Sequence, residues 1–191
     1  MTKYSGDAFK QREIGLEEAF FKERDRQLME KLRGELSAFE EKRKVGHVTG
    51  IVEEHVLQSL VQAGVRAETL AAVALIPIIE VAWCDGTVAP EERDAVLNAA
   101  VAHGIHEDSA SYALLQRWLD ERPDPQIIAA WKEYVHELAR ISPKETIAAM
   151  KKNMVDRATR VAAAAGGFLG LSTISKHERA KIDELSKAWD A

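Results

Sequence analysis

Asp85-Gly86-Thr87-Val88-Ala89-Pro90-Glu91-Glu92 decides how this chain folds. Asp-Gly is a turn pair: the Asp side chain bonds its own backbone two residues on, and Gly accepts a positive φ. Pro90 then suits the first position of a helix, where its missing N–H is not needed. Residues 67–84, just before the turn, are apolar around almost the full circumference of a helix, the mark of a buried central element. Pro77 inside that run predicts a kink or a break. After the turn, a helix runs from Pro90 to about His103 and stops at Gly104.

The same logic extends outward. Residues 107–121 form the next helix, closed by Arg122-Pro123. Asp124 caps a helix that begins with Pro125 and runs to about residue 141. Ser142 and Glu145 have the spacing of a capping box, opening a helix to about residue 165. Gly166-Gly167-Phe168-Leu169-Gly170 reads as a loop, and Ser175 with Glu178 as a second capping box that opens the last helix. Upstream, Thr49 is placed to cap a helix to about Ala63, with Gly64 as its stop. No segment alternates with the period of two that a half-buried strand needs. The fold class is therefore all-α: a compact bundle of about seven helices over residues 49–191.

Residues 1–48 differ in character. They hold 11 Lys/Arg and 10 Asp/Glu, whereas the remaining 143 residues hold 15 and 21. Residues 7–44 lack Pro and read as one long charged helix, with Val45-Gly46-His47 as a linker. Ile14, Phe21, Leu28, Leu32 and Phe39 make an interrupted heptad seam, with Glu18 and Asp25 at positions that a seam wants apolar. Such an arm either packs on the domain or pairs with a protein partner or a second copy of the chain.

Composition narrows the function. The net charge of −5 offers no clustered Lys/Arg for a phosphate backbone, so no nucleic-acid binding is expected. The longest apolar run is too short for a membrane span, which takes ~20 residues. The N-terminus lacks the apolar centre of a signal peptide, and Cys84 has no partner for a disulfide, so the expected compartment is the cytoplasm.

The second bend, Thr173-Ile174-Ser175-Lys176-His177-Glu178-Arg179, aligns with the first at an offset of 86 residues. Val88 matches Ile174, Glu92 matches Glu178, Arg93 matches Arg179 and Val96 matches Ile182. The first bend with its preceding Ala82-Trp83-Cys84, together with the Gly166–Gly170 segment and the second bend, resembles the tellurite-resistance TerB-like family over roughly residues 50–190. That resemblance implies a helical bundle, a role in bacterial stress or metal(loid) resistance, and divalent-cation binding through acidic residues; no enzymatic activity is established for the family. Carried over by position, the candidate metal residues are Asp85 and Glu92, with Glu178 as the second-corner counterpart. The chain departs from a symmetric pattern, because Leu171 and Ser172 stand where a second Asp-Gly would be.

Read from the residues alone, Asp85-Gly86 to Glu92 matches only the second half of a calcium loop. Val81 and Trp83 occupy the first two ligand positions, which excludes an EF-hand. Turn formation and partial helix capping account for the same residues, and a cation would need further ligands such as Glu80, Glu178 or Asp183. His103 and His106 are separated by the helix-breaking Gly104. Cys84 has no His nearby in sequence to act as its base and reads as a small apolar residue. The four tryptophans read as core. No catalytic constellation emerges, and no cofactor other than a divalent cation is implied. The alternative to a cation-binding module is a structural adaptor that self-associates through the N-terminal helix.

Overall fold

The computed structural model describes the backbone of residues 5–165 and 174–190, and the side chains of residues 22–164 and 174–190. Nine α-helices account for most of it, and there is no strand among the described residues. They are α1 (Ser5–Thr49), α2 (Glu54–Gln62), α3 (Leu70–Val73), α4 (Ile76–Ala82), α5 (Pro90–Ala102), α6 (Ala110–Asp120), α7 (Pro125–Ile141), α8 (Lys144–Ala165) and α9 (Lys176–Ser186). Short 3-10 turns, Ala67–Thr69 and Lys187–Trp189, precede α3 and follow α9. The chain divides into two units, residues 1–41 and 42–191.

In the larger unit, α4 is the centre. All seven of its residues are buried, and it packs on α5, α7, α8 and α9. Ile76, Ile78, Ile79 and Val81 meet Val96 of α5, Trp131 of α7, Ala158 and Val161 of α8, and Leu185 of α9 in one continuous core. The expected single helix over residues 67–84 is broken. Pro77 sits in the first turn of α4, and Leu75 is a non-helical joint between α3 and α4. A proline in a helix interior removes an N–H and clashes with the preceding turn, so the chain restarts there. That break is why the described residues of the bundle form eight helices, α2 to α9, rather than about seven. The glycine-rich stretch 166–170 and the Leu171-Ser172 pair lie outside the described residues.

The junction near residue 45 also differs from expectation. Val45-Gly46-His47 is helical, not a linker, and α1 continues to Thr49. Val45 is fully buried in the core of the larger unit. Gly46 is needed for close approach: a Cβ there would lie 3.1 Å from the Ile51 carbonyl oxygen and 3.3 Å from Leu57 Cδ1. Thr49 does not cap α2. Its hydroxyl donates to the Val45 carbonyl (2.8 Å) and accepts the Ile51 N–H (3.2 Å), closing α1 instead. The sequence places a hydrogen-bonding residue correctly but not which end of which helix it serves.

The described part of residues 22–41 is a helix whose apolar residues face solvent. Leu28, Met29, Leu32, Leu36 and Phe39 are 49–59% exposed. Ion pairs of Arg26 with Glu23 and Glu30 stabilise its polar face locally. No helix among the described residues is long and apolar enough to cross a membrane.

Candidate functional site

The two bends predicted from sequence have the same local geometry. Ala89 and Ser175 are the extended residues that precede α5 and α9. Three residues on, Glu92 and Glu178 turn back so that one carboxylate oxygen accepts the backbone N–H of Ala89 (2.9 Å) or Ser175 (2.6 Å). The second bend completes the capping box, because Ser175 Oγ accepts the Glu178 N–H (3.1 Å). The first cannot, since Ala89 has no side-chain oxygen. Four residues further, Val96 and Ile182 are both buried. The Asp85 turn forms as read: Oδ1 accepts the Thr87 N–H at 3.1 Å, and Gly86 takes φ 96°.

These bends meet. Glu92 and Glu178 are each buried, at 5% and 8% exposure. Burial pushes the Glu92 carboxyl up to about 7; the Ala89 N–H opposes that, while the negative charges of Asp85, Glu178 and Glu91 add to it. The thiol of half-buried Cys84 feels the same neighbourhood. Burial, then Glu178, Asp85 and Glu92, push it up to about 11, with only Lys181 acting the other way. A thiol held protonated is a poor nucleophile, so Cys84 lacks the thiolate that covalent catalysis needs.

The geometry limits what the acids can hold. Each of Asp85, Glu92 and Glu178 commits an oxygen to its own turn. Among the described residues, no group of three or more His, Cys, Asp or Glu side chains is arranged to hold a metal ion. Of the other expected ligands, buried Glu80 pairs with Arg122 (3.4 Å), and Asp183 is exposed on α9. His103 and His106 do not form a pair; His103 Nδ1 lies 3.1 Å from Arg157 Nη2. Three of the four tryptophans are core, and half-buried Trp83 donates from Nε1 to the Trp118 carbonyl at 2.8 Å.

Comparison with protein-family models, curated proteins and solved structures finds no match. The arrangement of the two bends therefore carries the functional argument by itself. Sequence reading named Asp85 and Glu92 from the family resemblance and added Glu178 through the 86-residue offset, at which Asp85 itself has Leu171. It missed that Glu92 and Glu178 would both be buried, because that depends on how α4, α5, α8 and α9 pack, and no short motif encodes it.

Proposed function

We propose that this chain is a non-enzymatic, TerB-like helical module of a bacterial stress or metal(loid) response, working by binding at the acidic junction of Asp85, Glu92 and Glu178. The observation behind this reading is that Glu92 and Glu178 are both buried and each folded back onto its own turn, with Asp85 and Glu178 raising the Glu92 carboxyl after burial itself. A site with unneutralised negative charge attracts a cation, and a cation that arrives must displace the Glu92 proton. Because one oxygen of each acid is bound to backbone, the ligand contacts few oxygens. This suits a weakly held divalent ion or the Lys or Arg side chain of a protein partner better than a fully enclosed metal.

The test is calorimetry at about pH 7 in two buffers of different ionisation enthalpy. Calcium, magnesium, manganese, zinc and an arginine-rich peptide are each titrated in turn. Binding with proton release in the wild type, lost in Asp85→Asn with Glu92→Gln, is the expected result. No heat with any of the five ligands, or heat without proton release, removes the reading.

A second reading rests on the exposed face of α1. Leu28, Met29, Leu32, Leu36 and Phe39 are large, apolar and uncovered, and Met29, Leu32, Leu36 and Phe39 follow the three–four–three spacing of a coiled-coil seam. On this reading the chain is an adaptor that pairs with a second copy of itself. Leu32→Glu with Leu36→Glu should then shift sedimentation from dimer to monomer. A wild-type chain that sediments as a monomer at about 100 μM excludes the adaptor reading.

A further inference from the structure

A second place in the larger unit combines charge, shape and an apolar floor, and it is independent of the acidic junction. A cavity of about 510 Å³ opens between α5 and α8. Its α5 wall is built from Ala95, Ala99 and Ala102, which recur on one helix face and leave room in the groove, together with the polar Asn98. Its α8 wall carries Asn153, Arg157 and Arg160. In a chain with a surplus of acid, these two guanidinium groups make no salt bridge among the described residues. Arg160 Nε donates to the Asp156 carbonyl (3.2 Å), while the Asp156 carboxylate pairs with Lys152. Arg157 faces the His103 ring. Arginine can only donate, so Nδ1 of His103 accepts and its Nε2 carries the proton. The site thus gathers donors and no carboxylate. The protonated forms of Arg157 and His103 are each disfavoured, first by burial and then by the adjacent cation.

A second, smaller cavity lies on the other side of the same polar groups' lining residues. This chamber of about 130 Å³ shares His103, Asn153 and Arg157 with the first and is walled by Trp131, Tyr134 and Trp189. Trp131 and Trp189 meet edge to face with ring centroids 6.3 Å apart. Trp189 Nε1–H is a buried donor with no acceptor among the described residues. A dry cavity of roughly 150 Å³ accommodates one benzene ring, so the chamber has the scale of a single six-membered ring.

We propose that the two chambers form one site for a small amphiphilic anion. A carboxylate or phosphate lies against Arg157 and Arg160 beside His103, and a single aromatic ring or an apolar group of that size sits among Trp131, Tyr134 and Trp189. Paired guanidinium groups supply the bidentate geometry that planar and tetrahedral oxyanions accept. The aromatic walls supply the apolar contact that a bare inorganic ion cannot use.

The experiment titrates the full chain with phenyl phosphate, phenylacetate, inorganic phosphate and benzyl alcohol, followed by calorimetry and by tryptophan fluorescence. At least one of the two aryl anions binds with a Kd below about 1 mM, and which of them binds more tightly separates phosphate from carboxylate. Inorganic phosphate and benzyl alcohol each bind at least about tenfold more weakly, because each lacks one half of the ligand. Arg160→Gln, at an exposed position, weakens the aryl anion about tenfold and unfolds with the wild type. Arg157→Gln with Arg160→Gln removes binding. No heat with either aryl anion at about 5 mM overturns the proposal. So does a double variant that is folded by circular dichroism and binds as the wild type does, or benzyl alcohol or inorganic phosphate binding as tightly as the better aryl anion.

Discussion

Replacing Glu92 with Gln removes one charge and keeps one hydrogen bond, which makes its effect on stability calculable. The glutamine carbonyl can still accept the Ala89 N–H that Glu92 holds at 2.9 Å. What disappears is the titration. The folded-state carboxyl sits at about 7 against an ordinary 4.5, so it is raised, and its contribution to stability is complete below pH 4.5 and is lost as pH rises through 7. Between those values the unfolded chain releases a proton that the folded chain keeps, and stability falls by ~1.4 kcal/mol per pH unit. Glu92 is almost wholly buried, so little of this is screened by solvent. From pH 5 to pH 8 the wild type therefore loses about 2–3 kcal/mol that the Gln variant does not lose. Urea unfolding of both proteins at the two pH values measures it, since the titrating groups that do not interact with Glu92 cancel in the double difference. Parallel pH profiles, agreeing within about 0.5 kcal/mol, would mean that Glu92 titrates normally, and the electrostatic case for the junction would fall with it.

Four further outcomes follow from the caps and the packing. Ser175→Ala removes the acceptor for the Glu178 N–H and should cost about 1 kcal/mol in urea unfolding, whereas Ala89→Ser, which completes the first box, should add a fraction of that. Arg122→Ala leaves the buried Glu80 carboxylate without its partner and should lower the unfolding free energy by about 1–3 kcal/mol; an unchanged urea midpoint would mean that Glu80 reaches solvent. Leu60→Ala, at a fully buried site of α2, should cost about 2–5 kcal/mol, and thermal melting followed by circular dichroism will read it.

Most of the helices, and the caps at Asp124 and Ser175, were legible because their signals are local. Pro90 and Pro125 open helices, Asp124 accepts the Gln126 N–H at 2.8 Å, and Ser175 and Glu178 close a box across three residues. Pro77 likewise announced the break before α4. Gly46 misled for a physical reason: its lack of a side chain serves packing against Ile51 and Leu57 rather than flexibility, and a sequence does not distinguish the two. Comparing the two bends singled out Glu178 as the counterpart of Glu92, yet the burial of this pair was invisible because it arises from helices distant in sequence. The Arg157–Arg160 cavity was missed entirely. Its signal is the alanine face of α5 opposed to two arginines of α8, and it acquires meaning only once those helices are known to be neighbours.

The burial of Val45 gives the last turn of α1 a different dynamic life from the rest of that helix. Opening that turn brings a wholly enclosed valine into water, at a cost of about 1.5 kcal/mol or more, on top of its backbone bonds. Opening the helix between residues 22 and 36 uncovers no side chain that water does not already touch. Amide protons across one unbroken helix will consequently exchange with deuterium on two timescales, the slow set beginning near Val45 and marking where the core takes hold of the chain.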